Sequence, residues 1–157
     1  GSGGISISYF PELASSGTNQ LRDFRVSGAS CNASNANLLD QCFQNATSGG
    51  GTIAAGTENF GISIACINTT QGTTTNLGSV TAAYNGDGTV TDTGNTCQSE
   101  ANTHIAWDNS GTAVALTSAT SVVDDEIIKI RYAATASTTT PTGAYTVTTN
   151  FLATPTF

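Results

Sequence analysis

Hydrophobic and polar positions follow a period of two at two places in this chain, strictly in the first, and each run predicts a strand. In the first, Ile5, Ile7 and Tyr9 fall on one face, Ser6 and Ser8 fall on the other, and Pro11 ends the run. In the second, Pro141-Thr142-Gly143 reads as a turn that launches one long strand. Tyr145, Val147 and Phe151 share one face of that strand, while Thr146, Thr148 and Asn150 share the other. The first run predicts an N-terminal extension or strand over 1–10. The second is the closing strand of a single domain over 11–157.

Between them, short apolar runs recur at short intervals. Strands are expected at 23–27, 52–54, 60–68, 79–84, 104–107, 114–116, 126–133 and 145–153. The clusters at 71–76, 85–88, 108–111 and 138–143 carry Gly, Asn, Asp, Ser or Thr and read as turns. The one helical signal lies between the first two cysteines. Ser34 or Asn35 is placed to cap it, and Leu38, Leu39, Cys42 and Phe43 recur at helical spacing. Many short strands joined by polar turns indicate a sandwich or barrel. The predicted fold is all-β, an Ig-like antiparallel β-sandwich with one short helical insertion near residues 34–44.

Composition supports this reading and removes several functions. The 157 residues suit one domain with its own core. Charged residues make up 10% of the chain, against roughly 25% in ordinary soluble domains. Thr, Ser, Asn and Gly take their place, which favours strands and turns. The net charge of −7 sets eleven acids against Arg22, Arg25, Lys129 and Arg131. A nucleic-acid partner is therefore not expected, because no basic patch can form. With no Met and no apolar run of about 18 residues, a mature or trimmed soluble form without membrane insertion is expected. Gly1-Ser2-Gly3-Gly4 reads equally as an expression remnant or a flexible native start.

Cys31, Cys42, Cys66 and Cys97 show no Cys-x-x-Cys spacing, and His104 is the single histidine, so zinc is a poor fit. Two disulfides in an oxidising compartment are expected. All three connectivities remain open. Cys31–Cys42 with Cys66–Cys97 is favoured because each bridge closes a segment with its own turn residues. Each would add roughly 2–4 kcal/mol of stability, and the first would hold the short helix.

The motifs that suggest chemistry read more simply as structure. Asn85-Gly86-Asp87-Gly88 opens like a calcium loop, but Ala83 and Gly94 would occupy the first and last ligand positions. A hairpin turn explains it better. Asp124, Asp125 and Glu126 read as a solvated loop that guards a strand end. His104 has neither an activated nucleophile nor a nucleophile elbow beside it. Trp107 is expected in the core rather than as a sugar platform. Asn32, Asn45 and Asn68 begin N-glycosylation patterns of the kind an Asn/Thr-rich chain produces by chance. Lys129 faces away from Ile128 and Ile130, towards solvent, and not into a core where an isopeptide bond would form. No catalytic residue, metal or cofactor is expected, and the chain reads as a non-enzyme.

Ile5, Ile7 and Tyr9 follow a Gly-rich lead with no hairpin partner immediately after them. Such a strand pairs either within its own domain or with the open sheet edge of a neighbouring subunit. These two alternatives are evenly balanced on the sequence.

The C-terminal third also resembles a known group. Ile105-Ala106-Trp107-Asp108, Val122-Val123-Asp124-Asp125, Ile128-Lys129-Ile130-Arg131-Tyr132, Pro141 through Val147 and Ala153-Thr154-Pro155 carry the likeness. They look like secreted surface proteins of candidate-phyla (Patescibacteria-type) bacteria, whose domains end in a Pro-x-Gly-x-Tyr-Thr strand. The ending is distantly similar to WxL-type and spore-coat-U-like pilin β-domains, and Phe60-Gly61-Ile62 is similar to a strand of the same group. The likeness covers about residues 100–157. The WxL signature itself is absent, and no ligand residues carry over.

The resemblance implies an extracellular protein of the bacterial cell surface, often structural. Combined with the N-terminal strand, it leads to the expectation of a filament or surface-layer subunit. Its partners would be copies of itself, possibly with other cell-surface components. The alternative is a monomeric adhesin or carbohydrate-binding module with loops around Trp107 and Tyr84 as its surface.

Overall fold

The computed structural model describes residues 3–11, 25–26, 46, 49–69, 79–85, 103–108, 112–123, 126–140 and 142–156. Among these are eight strands: β1 Ile5–Pro11, β2 Arg25–Val26, β3 Asn59–Thr69, β4 Ser79–Val80, β5 Val114–Ala119, β6 Glu126–Thr135, β7 Tyr145–Thr146 and β8 Thr149–Pro155. The helix among the described residues is a single 3₁₀ turn, Ala82–Tyr84. The expected helical insertion near residues 34–44 lies outside the described residues. No helix among them is long and apolar enough to cross a membrane.

Every ladder is antiparallel, and the strands form three groups: β4-β5-β1-β8, β2-β7 and β3-β6. The protein is thus all-β over its described length. β3 and β6 form the longest ribbon, from Asn59↔Thr135 to Thr69↔Glu126, with a bulge at Ala65. The other edge of β3 receives Ala106, through Ile62 N–H to Ala106 O at 2.9 Å and the reciprocal bond at 3.0 Å. Ile105 in turn exchanges two backbone hydrogen bonds with Gly51. Asn85 adds a parallel bridge to Ile64.

Period-2 alternation carries the large apolar side chains of β3 into the core. Phe60, Ile62 and Ile64 of β3 enter the main core, where Tyr9, Tyr84, Ala106, Trp107, Leu116 and Ala119 meet them. Residues from the β1–β5 pairing and from the β3–β6 ribbon therefore share one core. A smaller cluster of Ala46, Ile53 and Ile105 packs against Ala133.

Several sequence expectations change at the level of element boundaries. The single strand expected over 145–153 is two strands: β7 pairs with β2, Val147 and Thr148 leave the ladder, and β8 pairs with β1. The chain changes partners there because Tyr145 and Val147 pack on the main core while β8 must run beside β1. The strand expected over 79–84 ends at Val80, and the 3₁₀ turn swings Tyr84 inward. Residues 52–54 form no strand, although Ile53 is buried. Residues 104–107 contribute two single-residue bridges instead of a strand. β5 and β6 run further than expected, to Ala119 and Thr135.

Close approach of Ala106 to β3 requires a glycine at position 61. A Cβ there would lie 2.8 Å from both the Ala106 carbonyl oxygen and the Ile105 Cγ2. The first of these is backbone held by the ladder and cannot move away alone. Gly61→Ala is expected to destabilise the protein by roughly 1–3 kcal/mol. Urea unfolding checks this through a lower midpoint with an unchanged slope.

Candidate functional site

Strand β1 has no charged residue, and its Ile/Tyr alternation places one face on the core. It lies inside its sheet, not at an edge. On one side it pairs with β8 without interruption from Ile5↔Pro155 to Pro11↔Thr149. On the other it pairs with β5 from Ile5↔Ala119 to Tyr9↔Val114. The register on the β5 side shifts between Ile7 and Ser8, which leaves Leu116 as the extra residue of a bulge. That bulge allows neighbouring Leu116 and Thr117 both to be buried.

Just before β1, Gly4 continues the pairing with β8. The Thr156 amide donates to Gly4 O at 2.9 Å, and the Gly4 amide donates to Thr156 Oγ1 at 3.1 Å. A side chain at position 4 would overlap the Ala119 carbonyl, so the strand can enter only through glycine here.

Tyr9 is the anchor. Its side chain is fully buried, and its hydroxyl lies 2.9 Å from that of Tyr84. The Asp108 amide donates to the same Tyr9 oxygen at 2.9 Å. The Tyr9 ring meets Tyr84 edge-on at 5.7 Å and Trp107 at 5.2 Å, and Trp107 continues to Phe60 at 4.9 Å. Phe60 stacks on the half-exposed Tyr132 at 6.5 Å. Four rings thus run from the β1 anchor to the β3–β6 ribbon, with Tyr84 against the first of them. Contacts of this kind add about 0.5–1.5 kcal/mol per pair beyond the area they bury.

The three residues expected to form an assembly strand contribute unequally. Tyr9 fills the core, Ile5 packs partly against it, and Ile7 is half-buried opposite Thr117 and Ala153. Of the closing-strand residues, Tyr145 and Val147 are half-buried against the core, whereas Phe151 is 45% exposed on β8. Cys66 lies in β3 opposite Lys129, while Cys31, Cys42 and Cys97 lie outside the described residues, as does each expected disulfide.

Among the described residues, those considered for chemistry do not come together in one cluster of possible metal ligands. His104 is exposed with a left-handed backbone, φ 53°. Glu126 opens β6 opposite Thr69, while Asp124 and Asp125 lie outside the described residues, as do residues 86–94 of the calcium-like loop. Lys129 is exposed on β6. Trp107 and Tyr84 are both core residues, so neither ring offers a surface for stacking a sugar.

Tyr84 and Asp108 were missed as partners of Tyr9. The available signal was chemical: a tyrosine on the buried face of a strand needs a hydrogen-bond partner for its hydroxyl.

Burial pushes the Tyr9 hydroxyl well above its ordinary value of 10.0; the bond with Tyr84 adds to this and the Asp108 amide opposes it. Burial likewise raises Tyr84. Both raised values mean that the folded state keeps these protons while the unfolded chain releases them above pH 10.0. Their stabilising contribution is complete below that pH and is lost as pH rises through it. Stability is expected to fall above about pH 10, by up to about 1.4 kcal/mol per pH unit for each tyrosine. Tyr9→Phe should flatten this fall while lowering stability at pH 7 by roughly 1–3 kcal/mol, because the Asp108 amide loses its acceptor. Urea midpoints measured from pH 7 to 11 read both effects.

Compared with known protein families, curated proteins and solved structures, the chain gives no match.

Proposed function

We propose that this chain is a non-enzymatic structural protein of the bacterial cell surface, an Ig-like β-sandwich stapled by two disulfides. It serves as the subunit of a filament or surface layer and needs no cofactor. Copies join by strand complementation: β1 of one copy fills the slot between β5 and β8 of the next, with Ile5, Ile7 and Tyr9 as its apolar residues.

The observation that carries this reading is the seat of β1. A seven-residue strand without charge is held on both edges and plugged by one fully buried tyrosine. All of these contacts are non-covalent, so the same strand from another copy makes every one of them. Thirteen residues, 12–24, join β1 to β2.

Electron microscopy and sedimentation of the full chain across a range of concentrations test this proposal. The full chain should form linear assemblies. A chain lacking residues 1–11 should form none and should bind the synthetic peptide Gly1–Pro11 one to one. A full chain that stays monomeric at every concentration overturns the reading, as do filaments that persist unchanged without residues 1–11.

A further inference from the structure

Strand β8 ends the order β4-β5-β1-β8, and among the described residues nothing pairs with its outer edge. Which of its backbone groups face outward follows from the Gly4–Thr156 bond. Thr156 donates to Gly4, so the positions alternating from it (Thr154, Leu152 and Asn150) bond inward to β1. The amides and carbonyls of Thr149, Phe151 and Ala153 therefore point away from the sheet. Pro155, which has no amide to donate, falls on that outward set at its end.

The side chains on this edge are exposed on both faces: Phe151 at 45%, Leu152 at 44%, and neighbouring Phe10 at 37%. Apart from Pro155 at its end, β8 lacks the devices that usually guard an open edge: it has no lysine, no other charge and no bulge against β1. In a chain of net charge −7, the charge-free β8 carries no ionic group to hold a cation or a charged peptide, and two copies meet along it without like charges facing each other.

We propose that β8 pairs antiparallel with β8 of a second copy, about a twofold axis at Phe151. In this register Phe151 opposes Phe151 of the second copy, and Thr149 opposes Ala153. The outward amides and carbonyls of all three are then satisfied, while Pro155 falls beyond the ladder. On the opposite face Leu152 lies against Asn150 of the second copy, beside that copy's Phe10. The two sheets become one continuous sheet. The contact is the same whether β1 comes from the same copy or from a neighbour.

Charge swapping at the axis provides the test. Phe151→Lys and Phe151→Glu are made separately, with folding of each checked by circular dichroism, and sedimentation velocity is run on each alone and on an equal mixture. Wild type should form the twofold pair, each variant alone should lose it, and the mixture should regain it. A wild-type protein without the pair, or variants that keep it alone, would overturn the proposal. A mixture that fails to recover the pair overturns the axis at Phe151. Pairing through β8 closes at two copies, whereas exchange of β1 grows without limit. Loss of pairs with long assemblies intact therefore strikes β8 alone, and the reverse outcome strikes only the exchange.

Discussion

Tyr9→Ala is expected to lower stability by about 3–5 kcal/mol, the range for truncating a buried aromatic ring. The ring has no exposed surface, and it contacts both Tyr84 and Trp107. Its loss opens a cavity at the point where β1 joins the core. It also leaves the Asp108 amide and the Tyr84 hydroxyl without the partner that each has at 2.9 Å. Domains of this size are commonly stable by only about 5–15 kcal/mol, so much of the folded population is at stake. Urea denaturation followed by circular dichroism measures the change. A loss below about 1 kcal/mol would mean that β1 is not anchored through this ring.

Trp107→Ala is expected to cost a similar amount, about 3–5 kcal/mol. Trp107 is 2% exposed and stands between Tyr9 at 5.2 Å and Phe60 at 4.9 Å. Because it joins the β1 anchor to the ribbon, its removal should couple to that of Tyr9. A double-mutant cycle on the two positions should return an interaction energy of roughly 0.5–3 kcal/mol, where independent sites would add. As the single tryptophan of the chain, it also reports on itself. Its emission should be blue-shifted in the folded protein and move to the red on unfolding. Emission already red in the native state would place the ring in water.

The sequence disclosed the faces of strands better than their partners. The Ile5–Tyr9 alternation marked both the strand and the residue that anchors it. Phe60, Ile62 and Ile64 did the same for β3, because its apolar side chains recur with period 2 even though Gly61 and Ser63 between them are buried as well. Partnership is non-local and left no such trace: nothing near Ile5 indicates that Pro155 lies opposite it. The break after Thr146 was invisible because Thr and Val alternate straight through it, and only the choice between two sheets interrupts the strand. Tyr84 was read as a strand end, since its role depends on a 3₁₀ turn that periodicity does not encode. The hydroxyl pair and the Asp108 amide arise where three distant segments meet.

The place of β1 in its sheet has a consequence for how the protein is made. Its partner on β5 nearest in sequence, Val114 opposite Tyr9, comes 105 positions later, and Pro155 comes 150 positions after Ile5. At common rates of synthesis the first interval lasts roughly 5–20 s. During that time Ile-Ser-Ile-Ser-Tyr-Phe has no sheet of its own to enter. Contacts so distant along the chain also form slowly once both strands exist. An uncharged strand waiting that long is available to any open slot nearby. For the strand exchange proposed above, closure upon itself or upon a neighbour would then be a contest of rates, set by how many neighbours surround the strand while it waits.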